Sequence, residues 1–190
     1  MKLKKSIVLS LVAIIFTGTV VFGQNSDKLV SAKTQIKFFS STPAEDIEAQ
    51  NTTSVSTINK ETGEVVFSVP MQGFEFEKSL MQKHFNSDNF LDTKTYPKAK
   101  LTGKIINPEA VDFSKDGSYQ VAVEGELTLK GVTNSIKEKG TININGGQIN
   151  VESVFNITLA DYGVSFVDGK PSTNIAKTVE VTVQSQYQAE

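Results

Sequence analysis

The chain has 190 residues, 19 lysines with no arginine, 21 acidic residues and a formal net charge of −2. That balance excludes the basic stripe and bidentate arginines of nucleic-acid recognition and disfavours anionic membrane surfaces. No cysteine is present, so neither disulfides nor thiol chemistry contribute, and an exported domain of this sequence must be held by its core alone.

Residues 1–23 read as a cleaved signal peptide. Lys2, Lys4 and Lys5 form a positive start, Ile7 to Phe16 an apolar core, and Val21 and Gly23 the small-residue cleavage positions before Gln24. The apolar run is short for a spanning helix, so no stable membrane insertion is expected, and no cysteine follows it to carry a lipid anchor. Removing three lysines makes the mature chain more acidic. The expectation is a periplasmic or secreted protein whose residues 24–190 form one domain, long enough for its own core and free of internal repeats or low-complexity linkers.

The mature chain reads as β almost throughout. Ile36 and Phe38 open the pattern, followed by the stretch from Ile47 to Ile58 and then Val65, Phe67 and Val69. Around Pro70 and Gly73 the phase slips, and Phe74 and Phe76 continue on the other parity, which predicts a bulge or bend of the kind barrels use at corners. From Glu77 to Asn86 the spacing of Leu80, Met81 and Phe85 predicts one short helix, too short to stand alone in water and so expected to lie as a lid over one end of the sheet. Val121, Val123, Leu127 and Leu129 alternate with polar residues; Ile142 and Ile144 follow, then Ile149, Val151, Phe155, Ile157 and Leu159, broken at Ser153. Val179, Val181, Val183 and Tyr187 close the series with a clean period of two. Asn145-Gly146-Gly147 is a hairpin signal, and Thr62-Gly63, Asp116-Gly117 and Asp168-Gly169 mark further turns.

Strands with one dry and one wet face build antiparallel sheets. About eight of them bury their dry faces by stacking two sheets or by closing into a barrel whose interior holds side chains or one small ligand. Alternation does not choose between the two.

Parts for catalysis are missing. His84 is the single histidine, so a zinc site would need carboxylates for nearly every ligand, and the residue reads instead as a partly buried histidine on a helix face. Asp88, Asn89 and Asp92 lack the spacing and the glutamate of an EF-hand loop, which leaves a solvated loop with Asp88 bonding nearby amides. There is no nucleophile elbow, no Ser-x-x-Lys pair and no phosphate-cradling glycine loop. Glu75/Glu77 and Glu124/Glu126 fall on the wet faces of strands. The expectation is a non-enzyme with no metal and no cofactor. The many phenylalanines, with Met71 and Met81, suit either a packed core or an apolar pocket, since the two use the same residue types.

Two segments carry a family resemblance. Residues Lys83–Leu101 read KHFNSDNFLDTKTYPKAKL, and Val123–Thr133 read VEGELTLKGVT. Together they resemble the signature of the YceI-like family, HL-x-S-x-D-F-F-D-x-x-x-Y-P followed by G-x-L-T-x-x-G-V-T. Here Phe85 stands where leucine is usual, and Asn89-Phe90-Leu91 where a Phe-Phe pair is common. The resemblance implies a lipocalin-like antiparallel barrel of about eight strands with one short helix, enclosing an amphiphilic lipid such as a polyisoprenoid and catalysing nothing. It implies an apolar interior drawn from Phe38, Phe67, Phe74, Phe76, Leu80, Met81, Phe85, Phe90, Leu101, Val123, Leu127, Leu129, Phe155, Ile157 and Tyr162. A homodimer is compatible with it. Two stretches depart from the pattern. Tyr162-Gly163 lacks the arginine many members carry just upstream, and residues 40–59 match the usual opening poorly. The alternative is a ligand-free β-domain acting through protein contacts or in envelope stress.

Overall fold

The computed structural model describes residues 27–164 and 175–188; the expected signal peptide, Phe166 and the Asp168-Gly169 turn lie outside them. The described strands are β1 (Lys28–Val30), β2 (Lys33–Ser41), β3 (Asp46–Asn59), β4 (Glu64–Pro70), β5 (Phe74–Phe76), β6 (Lys98–Ile105), β7 (Gly117–Leu129), β8 (Val132–Asn145), β9 (Gln148–Thr158) and β10 (Thr178–Gln188), with one helix, α1 (Ser79–Asn86). Every pairing is antiparallel. Neighbours run β3-β2-β10-β9-β8-β7-β6-β4, and β4 pairs back onto β3, so eight strands close a barrel. Closure pairs most of the sheet edges that an open sheet would expose.

Turn chemistry sets the hairpins. Lys130 and Gly131 join β7 to β8 at φ 50° and 77°, and Gly146 and Gly147 join β8 to β9 at φ 56° and 82°. Positive φ at both central positions gives the twist that hairpin strands need. The phase slip at Pro70–Gly73 has a different form from the expected bulge. Met71–Gly73 is a 3-10 turn that carries the chain from β4 to β5. The bulge lies opposite, in β3, where the register jumps from Thr34↔Ser54 to Ile36↔Asn51. Here β3 changes partner, pairing β5 through Ala49–Asn51 and β4 through Val55–Ile58. Asn51, fully buried, holds the corner. Its amide nitrogen donates to Pro70 O at 2.6 Å, and its Oδ1 accepts from Thr53 N and Ser54 Oγ, both at 2.9 Å.

The two ends of the barrel differ. At one, Leu29, Ile58, Val65, Ile105, Ile144, Ile149 and Tyr187 interlock in a dense plug. Beside it lies a buried hydroxyl network. Ser56 Oγ bonds Tyr187 Oη at 2.6 Å, Thr34 Oγ1 at 2.8 Å and Ser185 Oγ at 3.2 Å. Burial pushes the Tyr187 phenol above its ordinary value, with the bonds to Ser56 and Ser185 opposing. Tyr187→Phe leaves the Ser56 hydroxyl short of a partner and is expected to lower unfolding free energy by about 1 kcal/mol, read from a denaturant midpoint; an unchanged midpoint would show that the network adds nothing to stability.

At the other end, register links one layer around the wall: Phe76↔Ala49↔Phe38↔Val181↔Phe155. Against this layer sits α1, docked by the buried Phe85. The Phe85 ring stacks on Phe38 at 5.6 Å and lies 5.3 Å from Phe74 and 5.0 Å from Phe76. A helix of this length has no stability of its own, so the aromatic cluster is what holds it in place.

Candidate functional site

Between the plug and the helix the barrel encloses a cavity of about 580 Å³, within the range of small-molecule sites, roughly 300–1,000 Å³. Strand alternation builds it. Each strand turns every second side chain inward, and most of those positions are aliphatic or aromatic. Phe38 from β2, Phe67 from β4, Phe74 and Phe76 from β5 and Leu101 from β6 line it. So do Val123, Leu127 and Leu129 from β7, and Phe155 and Ile157 from β9. From α1 come Leu80, Met81 and Phe85, and from the loop after it Phe90. The floor reaches Ile58, Val65, Ile105 and Ile142 of the plug.

The structure brings together all of the expected interior residues except Tyr162. That side chain is buried among the same apolar residues, but it belongs to the 3-10 turn Leu159–Tyr162, which leaves β9 before the αL residue Gly163, and it does not line the cavity. Phe113 packs at the plugged end. His84, expected to be partly buried, is exposed and contributes to the cavity mouth beside Leu80, which is 60% exposed. The mouth therefore lies at α1. Asp88 accepts the Asn89 N–H at 2.9 Å in an exposed loop, as expected. Glu124 bonds Lys137 on the outer face at 2.5 Å.

Among the described residues the polar side chains bordering the cavity are few: Ser40, His84, Lys100, Glu138, Lys139 and Ser153. Ser153, the break in the β9 alternation, points inward and donates from Oγ to Lys139 O at 2.6 Å. Glu138 of β8 also lines the cavity, and desolvation raises its pKa above the ordinary 4.5. The alternation of Ile142 and Ile144, continued backwards, places both Ile136 and Glu138 inward, which is the signal that identifies them. A raised folded-state pKa means that the ionised carboxylate is less favourable in the barrel than in the unfolded chain. The stabilisation associated with it is complete below the unfolded value and lost as pH rises through the folded one. Glu138→Gln is therefore expected to melt at a higher temperature than wild type at neutral pH, with the two converging below the ordinary glutamate range. A melting series across pH reads this, and a neutral-pH difference of the opposite sign would contradict it.

A closed antiparallel barrel with an apolar interior that opens at α1 has the architecture of a small-ligand container. The profile of the YceI-like domain matches residues 18–187, and the chain belongs to that family. It is 28% identical over 112 residues to a UPF0312 protein of Pseudomonas putida strain W619, an alignment covering 56% of this chain and 53% of that protein. The chain thus spans about half the length of the curated relatives it matches. Among solved structures it resembles a polyisoprenoid binding domain from Saccharophagus degradans implicated in plant cell wall breakdown, with TM-score 0.72, 18% identity, and coverage of 86% of this chain and 99% of that one. It also resembles Burkholderia cenocepacia BcnA, with TM-score 0.68, 16% identity, and coverage of 80% and 95%. At these identities the likeness is one of fold.

Proposed function

We propose that this protein is an exported, non-catalytic carrier that encloses one amphiphilic lipid, with an isoprenoid-like chain, inside its barrel. The carrying observation is the apolar cavity of about 580 Å³. A core that packed against itself would leave no such space, since protein interiors fill to crystal-like density. Each methylene moved from water into such a wall gains about 0.8 kcal/mol, so chain length dominates affinity. The flat phenylalanine faces and the adaptable Met71 and Met81 suit a branched, bending hydrocarbon. The polyisoprenoid-binding neighbour supports this ligand class. On this reading residues 1–23 direct export, residues 24–190 form the binding unit, and α1 gates the mouth by swinging about its Phe85 anchor. No helix among the described residues is long and apolar enough to cross a membrane.

The test is a titration with a fluorescent lipid probe. Saturable uptake of one probe per chain, displaced by an unlabelled isoprenoid, is the expected result. A probe that never saturates, or that no isoprenoid displaces, would overturn the carrier reading.

A further inference from the structure

The barrel wall is not uniformly sealed. Strands β8 and β9 pair only through Thr141–Asn145 with Gln148–Glu152. Beyond that fork, Val132–Gly140 and Ser153–Thr158 have no register with each other, although both strands continue. The Ser153 Oγ bond to Lys139 O, at 2.6 Å, ties the fork. At the other limit the turn after β9 is drawn back to β8, with Asn134 Nδ2 donating to Asp161 O at 2.8 Å and Lys130 Nζ to Gly163 O at 3.1 Å. The two strands therefore part and rejoin around a window in the wall, beside which Ile136, Glu138, Ser153, Phe155 and Ile157 line the cavity.

Among the described residues Glu138 is the one acidic side chain in that lining, and no side chain donates to its carboxylate. Lys100 and Lys139 also border the cavity, but both are exposed and Lys139 falls on the opposite, outward parity of β8. Its cross-strand neighbour on β7 is Val123. The flanking Lys137 is exposed and engaged by Glu124, and Lys139 is likewise exposed. Ser153 spends its proton on Lys139 O and keeps lone pairs for accepting. The window thus offers acceptors at the edge of an apolar cavity, where a ligand group that donates to them keeps its hydrogen bonds on leaving water.

We propose that Glu138 makes the cavity selective for amphiphiles whose head group donates hydrogen bonds and carries no negative charge, such as an alcohol or a primary amide. Phosphorylated or carboxylated lipids are excluded by like-charge repulsion at the window. The inference rests on the carrier reading above. The hydrocarbon sets affinity, and Glu138 sets which head group the barrel admits.

The test measures binding of geranylgeraniol, geranylgeranyl monophosphate and the hydrocarbon phytane to wild type and to Glu138→Gln. Wild type is expected to prefer the alcohol over the monophosphate by about tenfold or more, and the variant, with the charge gone and an amide donor in its place, to bind the monophosphate about tenfold better relative to phytane, which serves as the head-group-free reference in both proteins. Equal wild-type affinity for alcohol and monophosphate would overturn the selectivity while leaving the carrier intact, whether or not the variant folds. A preference unchanged in a folded variant would remove Glu138 from the role. Failure of all three probes to bind would overturn the carrier reading and this inference together.

Discussion

Leu127→Trp is expected to weaken lipid binding by at least about a hundredfold, by displacing hydrocarbon worth several methylenes at about 0.8 kcal/mol each. Leu127 lies on β7 between Leu101 of β6 and Asn134 of β8, with its side chain half-buried and facing the cavity. The added indole enters space that a ligand would fill instead of displacing packed side chains. Stability should therefore stay within about 1 kcal/mol of wild type, unlike the larger cost of overpacking a filled core. Probe titration and thermal melting read the two quantities separately. A folded variant with wild-type affinity would place the ligand somewhere other than this cavity.

Gly125→Ala is expected to lose about 2–3 kcal/mol of stability. Gly125 faces Gly103 across β6 and β7. A methyl group on Gly125 would lie 2.5 Å from Gly103 Cα and closer still to Thr102 O. Both are backbone atoms, so the strands must separate, and in a closed barrel that strains the pairings on either side. Gly146→Ala is the control. A methyl group there meets nothing within 4 Å, but the residue sits at φ +56°, so only about 1 kcal/mol of backbone strain is expected. Urea midpoints compare the two. A Gly125→Ala variant as stable as Gly146→Ala would mean that the strands are not in such close contact.

What the sequence makes legible is governed by side-chain parity. β10 reads cleanly because Val179, Val181 and Val183 are buried and their neighbours are wet. Ser185 shares that inward parity yet breaks the apolar pattern, and its partners Thr34 and Ser56 lie on strands remote in sequence. Alternation therefore finds the strand but not the hydroxyl network. β8 shows the same effect at the site. Ile142 and Ile144 mark its paired half, whereas Glu138 and Gly140 interrupt the apolar count, so its first half is silent in hydropathy and Glu138 goes unnoticed. Closure is not a local property either. It depends on β3 changing partner at a bulge built around Asn51, and nothing in the pattern of residues 46–59 alone states which strands that bulge will meet. The family signature supplied what periodicity left open, because its helix-loop and β7–β8 segments lie where α1 docks and where the barrel wall turns. It placed Tyr162 in the lining, though, and there a buried aromatic serves to hold a turn.

The most direct measurement is native mass spectrometry of the protein purified from its own envelope, followed by organic extraction. The account predicts a stoichiometric mass excess that extracts as a single lipid class with an uncharged head group. A bare polypeptide mass, with no uptake from added isoprenoids, would contradict it and leave a ligand-free β-domain acting through protein contacts.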